Sequence, residues 1–283
     1  MKNSFKWMSA AILICGLSFS IASCKKDPQP TPTPTPDPEP ITRTMLTGIV
    51  ATGVSFYDSV TYTYNYDAEY RISRSESHVT NEDFVIHDLH FDYSAGHISV
   101  AGTESESPVT IECTLDDQGR ITHYVKTHVI NDTVTDITNA DFTYDAEGHL
   151  VSEYKISNDA NAQGVTVNFV WEGDELKARN TEGDIITIDY VASDAPAQAL
   201  FSIIGYDIFL EELCVQGCFG KLPAHMPAQE TITTAIPIPG MDPLVVTTNY
   251  TYTVNADGRL ATCVETGGAN DETTNYTFIW EER

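Results

Sequence analysis

His87 and His90 stand three apart in HDLHFD (87–92), with Asp88 and Asp92 beside them. A metal shared by two histidines needs both rings on one side. If this segment is a strand, positions three apart point to opposite faces, and the pair cannot chelate. In DANAQG (159–164), Asp159, Asn161, Gln163 and Gly164 follow the order of a calcium loop, but Val170 stands where the bidentate Glu belongs. Without that ligand the segment reads as a turn. Cys113, Cys214, Cys218 and Cys263 show neither C-x-x-C spacing nor a paired histidine cluster, so they make no zinc pattern. Cys214 and Cys218, four apart in LCVQGCF, could close a small disulfide loop, one of three pairings open to four cysteines. No nucleophile elbow, P-loop or dinucleotide fingerprint is present. Glycoside hydrolysis would need two carboxylates about 5–10 Å apart. With 41 acids in the chain, spacing alone nominates no pair. The sequence therefore assigns no catalytic residue, no metal ligand and no cofactor, and calcium enters only through the charge.

One cysteine does carry a chemical expectation. Lys2 and Lys6 precede an apolar run from Met8 to Ile21, too short for a comfortable transmembrane helix but suited to a signal peptide. The run ends Ile21-Ala22-Ser23-Cys24, which resembles the lipobox of bacterial lipoproteins. Residues 1–23 are expected to be removed and Cys24 to take the lipid. Next comes DPQPTPTPTPDPEP (27–40), proline alternating with polar residues. Such a segment stays extended at about 3.1 Å per residue, a spacer of roughly 40 Å. The expected organisation is signal peptide 1–23, lipidated cysteine and tether 24–42, and one β-rich domain over 43–283.

Charge narrows the partners. Beyond residue 23 the chain holds 13 basic against 41 acidic residues, a net of −28. So acidic a surface repels nucleic acid and anionic head groups. Membrane contact is expected through the lipid anchor alone.

The domain repeats one local device: YNYDAEYRIS (64–73), FDYSAGHIS (91–99), CTLDDQGRIT (113–122), FTYDAEGHLV (142–151), FVWEGDELK (169–177) and YTVNADGRLA (252–261). In each, an aromatic-rich alternating run meets an acidic corner and a second alternating run follows. The leading Asp or Asn can accept from the backbone two residues on, and Gly119, Gly148 and Gly258 supply the positive φ of a bulged turn. Tyr62, Tyr64 and Tyr66 alternate with Thr61, Thr63 and Asn65, the pattern of a half-buried antiparallel strand. The fold class expected is all-β, an antiparallel meander of repeated hairpins forming a curled sheet or barrel-like wall. Over 195–216 the alternation stops, with Leu200, Ile204 and Ile208 at helical spacing, and a short buried helical insert is expected there.

The lipobox, the proline tether, the Y-x-Y-D-x-x-G-R/H-L/I hairpins and the insert followed by FGKLPAHMP resemble a family of Bacteroidota lipoproteins of unknown function, assigned a porin-like β fold. The corners alone look like the tyrosine-aspartate hairpin repeats of large secreted shell proteins. The resemblance implies a curled antiparallel sheet and carries over no activity or site residues. Asp58-Ser59-Val60 and Asp132-Thr133-Val134 resemble the O-glycosylation acceptor triplet of that bacterial group. A membrane-spanning barrel is not expected, since the strands show no steady apolar band. The expected function is a non-catalytic binding or interaction module at the outer membrane, facing the periplasm or the exterior, with a glycan or a protein as ligand. Alternatives are a glycan or peptide hydrolase using a carboxylate pair, and a calcium-stabilised surface protein.

Overall fold

The repeated alternation folds into sixteen strands. The computed structural model describes residues 43–283 except 55–56, 81–83, 131–133, 160–161, 182–184, 198–210, 237–239 and 270. The signal peptide, Cys24, the tether, Asn161 of the calcium-like turn and the Asp132-Thr133 pair lie outside the described residues. The strands are β1 (Thr44–Val54), β2 (Tyr57–Tyr66), β3 (Ile72–Val79), β4 (Val85–Ser94), β5 (His97–Glu104), β6 (Ser107–Leu115), β7 (Ile121–Ile130) and β8 (Val134–Tyr144). There follow β9 (Leu150–Ser157), β10 (Val165–Glu172), β11 (Glu175–Thr181), β12 (Ile186–Pro196), β13 (His225–Thr234), β14 (Leu244–Val254), β15 (Leu260–Gly267) and β16 (Glu272–Glu282). Each pairs antiparallel with its neighbours in sequence, and β16 returns to β1, Thr44 facing Glu282 and Thr52 facing Asn275. The meander closes completely into a barrel.

Period-two alternation decides what lies inside. On β4, His87, Leu89 and Phe91 are buried, while His90 and Asp92 are exposed. His87 and His90 thus point to opposite sides of the wall. The outward face elsewhere carries Glu112, Asp141 and Asp189. The interior holds a continuous aliphatic and aromatic core, with Ile98, Val100, Val109, Ile111, Tyr124, Phe142 and Phe169 among its members.

An up-and-down meander places alternate connections at one mouth, and all six acidic corners fall together there, beside the chain ends, where Arg43 and Arg283 pair backbone to backbone at 2.8 Å. The repeat is legible atom by atom. Asp116 Oδ1 accepts from the backbone N–H of Gln118 and Arg120, both at 2.9 Å, and Asp67, Asp145 and Asn255 do the same work at their corners. A bulge follows each, as at Thr114/Leu115 and Thr143/Tyr144. The corner's basic residue then stacks on the aromatic of the next hairpin: Arg71 on Tyr93 (4.4 Å), Arg120 on Tyr144 (4.3 Å), His149 on Trp171 (4.6 Å) and Arg259 on Trp280 (5.9 Å). Each such aromatic donates to the carbonyl of the residue after that base: Tyr93 to Ile72, Tyr144 to Ile121, Trp171 to Leu150 and Trp280 to Leu260, at 2.6–2.8 Å. The ring closes on the same plan, with Arg283 over Tyr66 and the Tyr66 hydroxyl donating to the Leu46 carbonyl. The repeated tyrosines are therefore joints between successive hairpins.

One corner departs from its sisters. Where Gly119, Gly148 and Gly258 take φ of 79°, 95° and 75°, the β2–β3 corner has Tyr70 at φ 63°. A left-handed conformation costs an L residue with a side chain about 1–2 kcal/mol.

Between β12 and β13 the described residues hold one short helix. Ala195 and Pro196 end β12, because Pro196 still pairs with His225 across the ladder, and the helix α1 covers only Glu211–Val215. Residues 198–210 of the expected insert lie outside the described residues. The part that is described is buried, as expected: Leu213, Cys214, Cys218 and Phe219 join the core, and Phe219 meets Phe142 edge-on at 5.1 Å. Residues 217–224 then run across the corners, Lys221 N–H donating to the Gly148 carbonyl and the Cys218 carbonyl accepting from Ile121. This segment seals part of the corner mouth. No described helix is long and apolar enough to cross a membrane.

Candidate functional site

The far half of the barrel interior is where the core turns polar. Inward positions of β9, β10, β11 and β12 line a cavity of about 230 Å³ there, with Val165, Val167, Ile186 and Ile188 as its aliphatic wall and Glu153, Lys155, Arg179 and Thr181 as its polar part. Glu153 and Arg179 are buried, while Lys155 Nζ, 3.8 Å from Glu153 Oε1, keeps about a third of its side chain exposed. Deeper still, Glu230 accepts from the Tyr250 hydroxyl at 3.2 Å, and Glu265 accepts from Tyr276 at 2.8 Å. Burial pushes the Glu230 carboxyl above the usual range, opposed by the Arg179 guanidinium and by Tyr250. Burial also raises the Tyr250 and Tyr276 hydroxyls, so both remain protonated donors. Charges taken out of water are expensive unless compensated, and a layer of them inside a barrel marks a functional candidate. Beside this mouth, Ile185, Met241, Leu244 and Val245 are all more than half exposed, an apolar lip on the same side as the aliphatic wall.

Sequence reasoning missed these residues for a physical reason. Glu153, Lys155 and Arg179 sit at alternate positions of ordinary strands, 24 residues or more separating the last from the others, and no local pattern distinguishes them from charges on the outer wall.

A second cluster has the composition of a nucleophile site. Ser75 Oγ donates to Glu212 Oε1 at 2.5 Å and meets His87 Nε2 at 3.0 Å, while Ser77 Oγ meets His87 Nδ1 at 2.9 Å. A catalytic triad places its acid on the second imidazole nitrogen. Here a serine occupies that nitrogen and the acid bonds the other serine directly. All four side chains are buried, so no substrate reaches them. Burial holds His87 down to about 4 and pushes Glu212 up to about 7. The cluster is a polar knot in the core.

The remaining sequence candidates bring no chemistry together. Cys113, Cys214, Cys218 and Cys263 are buried thiols, and the bridge that the Cys214–Cys218 spacing allows is not made. Burial pushes Cys113 and Cys263 up to about 12 and Cys218 up to about 11, far from a reactive thiolate. Among the described residues no group of three or more His, Cys, Asp or Glu could hold a metal ion. The cavity lining carries one carboxylate, Glu153, where a hydrolase would need two. The strand tyrosines Tyr64, Tyr66, Tyr93 and Tyr144 pack against the core and offer no outer platform.

No protein-family model matches the chain, and no curated protein matches it. Solved structures do share its fold. A porin-like protein from Bacteroides uniformis aligns at 16% identity with a TM-score of 0.56, covering 83% of this chain and 98% of that one. A second porin-like protein, from Bacteroides vulgatus, aligns at 12% identity with a TM-score of 0.56 and the same coverage.

Proposed function

We propose that this chain is a non-catalytic binding lipoprotein of the cell envelope, anchored through Cys24, whose barrel lumen takes a small amphiphile. The observation that carries the reading is the half-open aliphatic cavity with one reachable cation, Lys155, at its polar part. An apolar body would lie on Val165, Val167, Ile186 and Ile188. An acceptor head, a carboxylate or carbonyl, would receive a hydrogen bond from Lys155 Nζ. Few convergent polar groups in an otherwise apolar cavity are the usual make-up of a small-ligand site.

The outer wall supports a barrel standing in water. A lipid-facing wall excludes charge near its middle, and here Asp92, Glu112, Asp141 and Asp189 point outward from successive parts of the sheet. A lipid on Cys24 would then supply the membrane attachment that the barrel surface does not.

Calorimetric titration of the purified protein with octanoate, octanol and octylamine tests the reading. Octanoate should bind, octylamine should not, and Lys155→Met should weaken octanoate at least tenfold while leaving the melting temperature within a few degrees. Silence from all three solutes, or equal binding of octylamine, would defeat it.

A further inference from the structure

We propose that the far mouth docks on a zwitterionic lipid surface through its apolar lip, so that the lumen loads and unloads an amphiphile at the bilayer. The purpose of this contact rests on the lumen reading above, while the contact itself rests on the rim.

The lip is continuous with the cavity. Ile185, Met241, Leu244 and Val245 are each more than half exposed, and Val165, which also lines the cavity, is 45% exposed. Ladder pairing sets them along one edge. Ile186 of the cavity wall faces Thr234, and Thr234 faces Leu244. Ala235 N–H donates to the Ile185 carbonyl at 2.8 Å, which holds Ile185 beside them. An acyl chain leaving the cavity therefore passes Ile188, Ile186 and then the lip, or Val167 and then Val165. A patch for a protein partner need not join the lumen, but a port for amphiphiles must.

The tether lets this mouth reach the membrane that holds the anchor. The chain enters the barrel at the corner mouth, the end away from the lip. The longest strands have 11 residues. At about 3.3 Å per residue the wall is at most about 36 Å tall, and tilt shortens it further. Residues 27–40 are expected to span roughly 40 Å. They are long enough to pass alongside the wall and turn the far mouth toward the bilayer. A lip of half-exposed side chains holds a bilayer weakly, yet a tethered module meets that surface at about millimolar effective concentration.

Charge chooses the lipid. Asp242 sits within the lip, and Asp58, Asp271 and Glu272 stand exposed at the same mouth. These carboxylates repel an anionic surface and tolerate a zwitterionic one.

The test couples the chain from Cys24 onward to phosphatidylcholine vesicles through a maleimide lipid. Cys113, Cys214, Cys218 and Cys263 are buried, so coupling falls on Cys24. Trp171 and Trp280 are the tryptophans of that chain, and both lie at the corner mouth. Brominated phosphatidylcholine should leave their emission unchanged and should quench about half of the emission added by Leu244→Trp, since a docked lip lies within the interface. Ile185→Ser with Met241→Ser should remove most of that quenching at an unchanged melting temperature, and so should phosphatidylglycerol mixed into the vesicles. Leu244→Trp left unquenched, or native tryptophans quenched equally, overturns the proposal. So does self-association of the unanchored chain that Ile185→Ser abolishes, for the lip would then serve a second copy. Quenching without octanoate binding upholds the docking surface and removes the lumen reading; octanoate binding without quenching does the reverse.

Discussion

The two mouths of the barrel are built by different rules. At the corner mouth the β2–β3, β6–β7, β8–β9 and β14–β15 turns come from a single recipe, their basic residues stack on the aromatic of the following hairpin, and Leu213, Cys214, Cys218 and Phe219 press into the opening. At the far mouth the inward positions set Glu153, Lys155 and Arg179 against an aliphatic wall, and Ile185, Met241, Leu244 and Val245 stand exposed on the rim. Repetition thus marks the part that holds the barrel together, and the other half is where the interior is left chemically distinctive. The exception at the corner mouth, Tyr70, obeys the same logic, for the departure from the repeat coincides with a pocket.

Several substitutions would break or sharpen this contrast. Phe219→Ala, which empties the seal at the corner mouth, should cost about 3–5 kcal/mol in urea unfolding. A loss under about 1 kcal/mol would mean that residues 217–224 only cover the opening. Replacing the lumen charges together, Glu153→Leu with Arg179→Met and Glu230→Leu, should leave stability unchanged or raise it by about 1–4 kcal/mol. A large loss there would make the charged layer structural and erase the difference between the mouths.

The polar knot in the core gives a pH test. Glu212 is raised from 4.5 to about 7, so its contribution is complete below pH 4.5 and lost as pH rises to about 7. His87 is lowered from 6.5 to about 4, so its contribution is complete above pH 6.5 and lost as pH falls to about 4. The two slopes oppose each other across the shared interval. Glu212→Gln leaves the histidine slope alone, and the denaturant midpoint should then climb with pH between about 4.5 and 6.5. A flat profile would show that His87 is not held neutral by burial.

Smaller effects belong to the corners. Gly119→Ala should cost about 1–2 kcal/mol, wholly conformational, because nothing lies within 4 Å of the added methyl. Asp116→Asn should cost about 1 kcal/mol, the upper end for ion pairs near the surface, because the pair with Arg120 is partly buried while Asn255 already performs the backbone capping at a sister corner. Thermal melts resolve both, and a larger loss at Asp116 would show that the carboxylate does more than cap.

Strands and corners were legible because their causes are local. Alternation such as Tyr62, Tyr64, Tyr66 and the capping Asp or Asn with its positive-φ glycine act within five or six residues. The carbonyl partners of the joint tyrosines Tyr66, Tyr93 and Tyr144 lie 20 or more residues back, so the sequence showed the aromatics without showing that they face inward. Closure was equally hidden, since nothing near Thr44 announces Glu282 as its neighbour. Leu200, Ile204 and Ile208 suggested a helix from 195, but ladder pairing carries β12 to Pro196, and the described helix covers Glu211–Val215. The lumen site was invisible for the same reason as closure: it is assembled from four strands, two side chains from each.

The seam between β1 and β16 joins residues 223 to 238 apart. Until the last strand is in place, the nascent sheet has two raw edges, each a row of unpaired backbone donors and acceptors ready to recruit another chain. The eleven residues of β16 thus work as a latch for the whole wall. A stop codon or a proteolytic nick that removed them would turn an inert cylinder into a sheet with two adhesive borders, so the tail should be far less tolerant of truncation than its exposed position implies.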